Sequence, residues 1–461
     1  MARLFGTDGI RAKAGIFPLD PITVERIGWS LARHLRTGTG ETAPLIVIGR
    51  DTRESGEWIE RALMRGAAHA GARCESAGVI TTPGIAFLTR SLGAAAGVVI
   101  SASHNPYDDN GIKVFEPSGR KLNDNLERRI EADVSSAETL DLTTPTEAIG
   151  EVIVDQPHAS GLRKRYSRYL LEEVAAGLTL TRLSLVLDCA NGAASDIAPE
   201  LFRQLGAHVI TMNNLPDGKN INRDCGSLHL ESLRRRVLEE RAHVGVAFDG
   251  DADRALFVDR SGNFVDGDAT LWILAKQLQT GGLLNDQIVV ATVMSNIGLE
   301  LALSTRGIKL LRTDVGDKYV LDELIKTGAS IGGEQSGHII FPKLSLAGDG
   351  IMTTLYLLRA MQDSRKELQE LAAGFQRYPQ ILINVKVREK RDFDELPEVA
   401  RLASETQARL GAKGRLLLRY SGTESLARVM IEGESQTEID GYAQRLADAI
   451  TAELGSSQDS V

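Results

Sequence analysis

Apolar positions along this chain repeat in short alternating blocks of helix-like and strand-like rhythm. Ile27, Leu31 and Leu35 recur at four-residue spacing behind Asp20-Pro21 and stop at Gly38, which predicts a capped amphipathic helix. The run PLIVIGR after it predicts a strand, followed by a helix from Trp58 to Ala70, the short run SAGVI before TTPG, a helix from Ile85 to Leu92, and GVVIS. A second unit runs from LSLVLDCANG through helical APELFRQLGA, strand HVITM and helix HLESLRRRVLEERA to VGVAFDGD. A third opens at GDATLWILAKQLQ, continues through QIVVATV and reaches GASIGGEQSGHII. In each unit a helix leads to a short apolar strand that ends in a polar, glycine-containing loop. That recurrence predicts three similar α/β layered domains, without a residue-level repeat.

Beyond about residue 375 the rhythm changes to strand, helix, strand, strand, helix: ILINVKV, Glu398–Leu410, GRLLLRYSGTE, ARVMIEG and a last helix. This predicts a smaller C-terminal α+β domain. The expected spans are 1–155, 156–260, 261–373 and 374–455. An exposed connection is expected at 135–147 and a disordered tail at GSSQDSV.

Composition narrows the class. A chain of 461 residues, 43% hydrophobic and 25% charged, is an ordinary multi-domain globular protein, and 45 glycines imply many tight loops. A net charge of −9 argues against a nucleic-acid surface, so an anionic ligand must be caught locally. Cys74, Cys189 and Cys225 form no paired motif, and no apolar run is long enough for a signal peptide or membrane span. The expectation is a cytoplasmic protein with no membrane and no nucleic-acid partner.

Four loops carry candidate chemistry. In DGDADR, Asp249, Asp251 and Asp253 alternate and are expected to converge on one side of an extended loop, where three hard oxygen ligands suit Mg²⁺. An EF-hand is excluded, because Arg254 and Arg260 stand where Gly and Glu are needed. A solvated acidic turn is the competing reading. GGEQSGH has P-loop spacing, but His338 and Ile339 replace the Lys and Ser/Thr. Glu334 and Ser336 could instead bond sugar hydroxyls, against a plain glycine turn.

In RYSGTE, Arg419, Ser421, Gly422 and Thr423, with Arg428 beyond, could grip a phosphate monoester; a surface hairpin is the alternative. Thr7, Gly9 and Arg11 of FGTDGIR could help hold a phosphate, or form only a turn. VISASHNP places Ser103 on a turn behind an apolar run. A phosphate on that serine would bring a charge of about −1.5 to −2. At 4 Å and an effective dielectric of 20, each unit-charge repulsion costs about 4 kcal/mol. A divalent cation between the serine phosphate and the aspartates reverses the sign, making Ser103 and the acidic loop halves of one site.

Taken in order, FGTDGIR, SASHNP with DNGIKVF, NINRDCGSLH, DGDADR, GEQSGH, and RYSGTE with RVMIEG resemble the α-D-phosphohexomutases over essentially the whole chain. The resemblance implies three α/β domains and a smaller fourth around a central cleft. It implies that Ser103 is the phosphorylated serine and that Asp249, Asp251 and Asp253 hold one Mg²⁺ per chain with the serine phosphate. Glu334 and Ser336 match the sugar contacts, and Arg419, Ser421, Gly422, Thr423 and Arg428 the loop holding the substrate phosphate. Thr7, Arg11, His104, Lys113 and Arg254 match the phosphoserine surroundings, with Lys113 and His338 as acid/base candidates.

The implied reaction interconverts glucosamine 6-phosphate and glucosamine 1-phosphate through a 1,6-bisphosphate that also acts as activator, a step toward UDP-N-acetylglucosamine and cell-wall precursors. Sugar phosphates are the expected partners, and a homodimer is left open. Two rival classes remain: a dehalogenase-type enzyme with an aspartyl nucleophile in DGDADR, and a non-catalytic sugar-phosphate sensor. Mild hydroxylamine separates the first, releasing an acyl phosphate but sparing a phosphoserine.

Overall fold

The computed structural model describes residues 4–6, 8–39, 43–136, 155–421 and 424–455. Most of the expected connection at 135–147, nearly all of the GSSQDSV tail, Thr7, Gly422 and Thr423 lie outside the described residues. The chain forms two compact units, Met1–Met294 with Leu311–Ala372, and Ser295–Leu310 with Ala373–Val461.

The first sheet contains β1 (Phe5–Gly6), β2 (Gly9–Lys13), β3 (Leu45–Arg50), β4 (Arg73–Val79), β5 (Ala96–Ile100) and β6 (Asp109–Phe115), in the order β1-β2-β6-β5-β3-β4. β3 runs parallel to β4 and β5, whereas β6 returns antiparallel to β5. The helices Pro21–Thr39 and Gly56–His69 present Ile27, Leu31, Ile59 and Leu63 to Ile46, Ile48 and Val98 in one core. Each such side chain, fully removed from water, contributes about 1.5–3 kcal/mol.

The second sheet contains β7 (Ser184–Asp188), β8 (His208–Met212), β9 (Val244–Phe248), β10 (Ala255–Asp259) and β11 (Phe264–Val265), in the order β11-β10-β9-β7-β8. Its last strand reaches past the expected break at 260. The third has the order β13-β12-β14-β15, from β12 (Ile288–Thr292), β13 (Lys309–Thr313), β14 (Gly332–Gly333) and β15 (Ile339–Ile340). In the second unit, β16 (Gln380–Lys386), β17 (Arg415–Tyr420) and β18 (Leu426–Glu432) form an antiparallel sheet in the order β16-β18-β17. The helices Pro397–Leu410 and Gln436–Leu454 cover it through Val399, Leu402, Leu446 and Ile450.

One device recurs in all four sheets. A strand runs to its carboxyl end, turns, and comes back antiparallel beside itself: β5 to β6, β9 to β10, β14 to β15, and β17 to β18. The first three turns hold SASHNP, DGDADR and EQSGH, and the fourth connection leaves β17 at Ser421. Carboxyl ends of strands are where α/β sheets bind ligands, because the turns there are free to carry polar groups. Among the described residues no helix is long and apolar enough to cross a membrane.

Candidate active site

Ser103 sits on the β5–β6 turn with φ 51°, a left-handed conformation that costs a residue with a Cβ about 1–2 kcal/mol. Its surroundings over-determine that geometry. Ser101 Oγ accepts the Ser103 N–H at 2.9 Å and donates to Asp51 Oδ2 at 2.7 Å. Arg53, fully buried, donates from Nε to Asp51 Oδ2 at 2.9 Å and from its guanidinium to the carbonyls of Ser103 (3.1 Å), Asn105 (2.9 Å) and Asp109 (2.9 Å). Asn222 adds a bond to the Ser103 carbonyl at 2.9 Å. With carbonyl and amide held, the hydroxyl donates to Asp249 Oδ2 at 2.5 Å and lies 3.2 Å from His104 Nδ1.

The acidic loop reaches this point by a different geometry from the expected extended alternation. Residues 250–253 form a tight turn in which the Ala252 N–H donates to the Asp249 carbonyl at 3.0 Å and Ala252 takes φ 55°. That turn, rather than a period of two, brings one carboxylate oxygen from each of Asp249, Asp251 and Asp253 within 4.8 Å of one another. Gly250 permits it, because a Cβ there would stand 2.5 Å from the Ser103 carbonyl oxygen.

Each carboxylate is pinned by one side. Asp249 Oδ1 accepts the Arg254 N–H at 3.2 Å, and Asp251 Oδ2 accepts from Thr82 Oγ1 at 2.6 Å and Lys113 Nζ at 2.9 Å. Lys113 Nζ also lies 3.4 Å from Asp253 Oδ2 and 3.1 Å from Asp8 Oδ2. Asp251 Oδ1 and Asp253 Oδ1 are buried without a hydrogen-bond partner. Burying unsatisfied carboxylate oxygens is costly, and three clustered carboxylates repel. The donor set therefore fits a small hard cation, for which these oxygens are ready ligands.

The charges follow this geometry. Burial, with Asp253 and Asp251 nearby, pushes the Asp249 carboxyl well up. For Asp253 burial acts upward too, but Lys113, His338 and Arg254 outweigh it and hold the carboxyl well down. Burial works against the Lys113 ammonium, yet Asp251, Asp8 and Asp253 keep it charged with a raised pKa. Burial and the cations of Arg254 and Arg11 lower His104 to about 4, leaving it neutral at pH 7.

His338 Nδ1 is 3.6 Å from Asp253 Oδ1, and Nε2 is 3.6 Å from Asp317 Oδ2. Burial opposes its protonation, but Asp253, Asp317 and Glu334 take it up to about 9. The Gly348 amide, donating to Nε2 at 3.1 Å, pulls the other way by favouring a neutral ring with the proton on Nδ1. A cation among the aspartates would weaken the carboxylates' side of that balance.

Glu334 and Ser336 stand with His338 on the turn between β14 and β15, closed by Gly337 at φ 91°. Glu334 Oε1 accepts the Gly316 N–H at 3.2 Å, and its charge is felt by Arg254 and His338. Arg11 pairs with Asp8 while its Nε, like that of Arg254, is buried without a hydrogen bond; Arg254 Nε lies 3.7 Å from Asp253 Oδ1. In the second unit Arg419 and Arg428 stand directly opposite each other on β17 and β18. Arg428 also reaches Glu424 at 3.2 Å, and Ser421, buried, receives Lys390 on its carbonyl at 2.6 Å.

Four segments match the domains of one family: phosphoglucomutase/phosphomannomutase α/β/α domain I over 2–141, domain II over 164–262, domain III over 266–378 and the C-terminal domain over 382–449. This chain belongs to the phosphoglucomutase/phosphomannomutase family. It is 48% identical over 455 residues to a phosphoglucosamine mutase of Solibacter usitatus, covering 98% of this chain and 99% of that one. It is 44% identical over 459 residues to another from Geotalea daltonii, covering 99% and 100%.

The fold resembles that of a family member from Burkholderia thailandensis, with a TM-score of 0.78 at 23% identity over 98% of this chain and 97% of that one. It also resembles the N-acetylphosphoglucosamine mutase of Aspergillus fumigatus, solved with GlcNAc-6P and magnesium, with a TM-score of 0.63 at 19% identity over 97% and 95%. Three α/β/α domains and a distinct C-terminal domain are thus the family architecture, as the strand and helix rhythm predicts.

Several residues that shape this site declare no chemistry by their type alone. Asp51 and Arg53 lie just beyond β3, Thr82 opens the helix Thr82–Ser91 and Asn222 lies in a turn; their roles show only in tertiary contacts, of Asp51 with Ser101, of Arg53 and Asn222 with the Ser103 carbonyl, and of Thr82 with Asp251. Asp8 and Asp317 are likewise single carboxylates whose meaning is their approach to Lys113 and His338.

Proposed function

We propose that this chain interconverts glucosamine 6-phosphate and glucosamine 1-phosphate, a reading supported by its 48% identity to a phosphoglucosamine mutase. The observation that carries the reading is Ser103 Oγ at 2.5 Å from Asp249 Oδ2, inside a buried trio of aspartates with unsatisfied oxygens. In this reading Ser103 carries the phosphoryl group, and Asp249, Asp251 and Asp253 with the serine phosphate hold one Mg²⁺. When bound, Mg²⁺ supplies charge withdrawal from the phosphoryl group in transfer.

The chain's own residues do the rest. Arg11 and Arg254 offer the serine phosphate buried Nε donors that make no hydrogen bond, that of Arg254 lying 3.7 Å from Asp253 Oδ1, and neutral His104 offers a third contact beside Oγ. Glu334 and Ser336 orient the sugar hydroxyls, while Arg419, Ser421, Gly422, Thr423 and Arg428 take the phosphate that is not in transfer. The sugar 1-hydroxyl attacks phosphorus, the bond to Ser103 Oγ breaks, and the hydroxyl proton leaves to a base. Lys113 and His338 are the acid/base pair of this reading: the carboxylates around them hold both protonated, which suits each to donate, and whichever has lost its proton takes up that of the attacking hydroxyl. The glucosamine 1,6-bisphosphate so formed turns over and returns its 6-phosphate to Ser103, releasing glucosamine 1-phosphate. Trace bisphosphate primes a dephosphorylated serine, and the reaction runs in the cytoplasm.

The test is phosphorus NMR of pure protein with glucosamine 6-phosphate, Mg²⁺ and a trace of the 1,6-bisphosphate. Conversion to the 1-phosphate is expected. Ser103→Ala should abolish it and leave sugar-phosphate binding measurable; normal turnover in that variant overturns the reading. The matching glucose and mannose phosphates, run in parallel, test the sugar.

A further inference from the structure

Lys121 has no part in the site as described above, yet it touches two residues that do. It lies just beyond β6, bridged to Phe115, with a side chain only 20% exposed. Its ammonium contacts Asp8 Oδ1 and, at 2.5 Å, Asp317 Oδ2. Asp8 belongs to the β1–β2 turn, within the domain I match, and Asp317 opens the helix Asp317–Thr327, within the domain III match. Burial opposes the Lys121 charge, but the two carboxylates keep its pKa raised.

Each carboxylate passes the contact on. Asp8 Oδ2 is 3.1 Å from Lys113 Nζ, and Asp317 Oδ2 is 3.6 Å from His338 Nε2. Lys113 in turn bonds Asp251 at 2.9 Å, and His338 Nδ1 lies 3.6 Å from Asp253. Two contact chains therefore leave one ammonium, pass through the two acid/base candidates and end on the same acidic loop.

Docking alone does not account for this arrangement. The same segments are also joined by Arg120–Asp322 at 2.8 Å and by Lys318–Asp124. Those pairs are 36–51% exposed and contribute little, but they hold the segments together without touching Lys113 or His338. Lys121 is the more shielded member, with one carboxylate from each segment on a single charge. Without it Asp8 and Asp317 would lose the one charge they share and lean on Lys113 and His338 alone with Arg11, drawing both acid/base candidates from their present places. A displacement of about 1 Å in such groups can cost about 100-fold in rate.

We propose that Lys121 is a positioning residue for phosphoryl transfer, holding Asp8 and Asp317 so that Lys113 and His338 keep their places. The inference rests on the mutase reading, and the two fail separately: wild-type turnover tests that reading, and the ratio of variant to wild type tests Lys121.

The experiment compares Lys121→Met, which keeps the stem and removes the charge, with Lys121→Arg and with the double variant Arg120→Ala/Lys318→Ala. For Lys121→Met, kcat should fall about 100-fold. Its affinity for glucosamine 6-phosphate, measured by calorimetry without turnover, should stay within about threefold. Lys121→Arg should regain at least tenfold of the lost rate, because the charge returns. The double variant loses two docking pairs and should keep kcat within about twofold of wild type. Thermal unfolding of all three shows whether the rate follows stability. A Lys121→Met enzyme within about threefold of wild-type kcat overturns the proposal. So does a double variant that loses as much rate as Lys121→Met, or a folded Lys121→Arg that recovers nothing.

Discussion

Arg53 lies wholly buried behind Ser103 and donates to its carbonyl oxygen at 3.1 Å. The same guanidinium ties down three further carbonyls of the serine loop and pairs with buried Asp51. Removing it with Arg53→Met leaves the Asp51 charge buried and unpaired, which costs about 3–5 kcal/mol. Arg53→Lys should recover only part of this, since one ammonium cannot reproduce a planar fork. Urea unfolding measures the loss, and turnover should fall in step with the disorder of the loop. A Met variant of wild-type stability would show that the pair is not what holds Ser103.

Gly250 makes the complementary prediction from the opposite wall. A Cβ at that position would meet the Ser103 carbonyl at 2.5 Å and Asn222 Nδ2 at 2.9 Å. Gly250→Ala must therefore push the serine loop away from the acidic loop and lengthen the Ser103–Asp249 bond. Turnover should drop about 100-fold or more. The kinetic assay already described reads this, and unchanged turnover would mean that the two loops need not touch.

The unsatisfied oxygens of Asp251 and Asp253 predict a ligand effect on stability. A cation that binds the folded state alone raises stability by about 2.7 kcal/mol at 100 times its dissociation constant. Thermal melts with and without Mg²⁺ should show a rise for wild type and none for Asp253→Asn. Treatment with EDTA should reverse the wild-type shift and stop turnover. A variant that still gains as much as wild type would place the cation elsewhere.

How far these features could be read in the sequence depends on whether their signal was local. DGDADR, GEQSGH and SASHNP stood out because polar residues crowd behind apolar runs, and each does follow a buried strand. The returning strands β6, β10 and β15 did not stand out. β6 carries Lys113 amid wholly buried residues, and β15 is two residues long, too short for any period. The helix Gly350–Ser364 was also missed, being buried on most of its faces and therefore without a clear polar stripe. The contacts of Arg53 with Ser103, Asn222 with Ser103, and Lys121 with Asp8 and Asp317 span 50 to 196 positions, and spacing along the chain cannot encode them even where the residue falls within a recognisable motif.

Asp349 supplies a pH prediction away from the aspartate trio. It caps the helix Gly350–Ser364, accepting the Met352 N–H at 2.9 Å and the Tyr166 hydroxyl at 2.6 Å. Burial outweighs both bonds and raises its pKa from 3.8 to about 6. Because the folded state binds this proton more tightly than the unfolded chain, the group lowers stability as pH rises from 4 toward 6, and the full penalty persists above that. A shift of two units corresponds to about 3 kcal/mol. Asp349→Asn keeps a capping oxygen but cannot ionise, so its stability relative to wild type should improve by up to about 3 kcal/mol between pH 4 and pH 7.5. Denaturant titrations of both proteins at the two pH values measure this. A difference that does not vary with pH would mean that the carboxyl titrates normally.

Arg419 and Arg428 oppose each other across β17 and β18, and like charges in that position destabilise a sheet. Among the described residues Arg428 Nε is buried without a hydrogen bond, and Glu424, itself largely exposed, pairs with the guanidinium edge. In the proposed reading this pair of arginines serves to bind the substrate phosphate rather than to fold the sheet. Arg428→Ala should therefore leave unfolding stability unchanged or slightly raised while weakening glucosamine 6-phosphate binding. Charged hydrogen bonds contribute about 1.5–3 kcal/mol, so the affinity should fall about 10- to 100-fold. Arg428→Lys should restore only part of it, because the fork that matches a phosphate is gone. Calorimetry with glucosamine 6-phosphate and with glucosamine separates the phosphate's contribution: the variant should lose affinity for the first and none for the second. Equal losses for both would put Arg428 on the sugar, and no loss for either would leave the two arginines as surface charges of the hairpin.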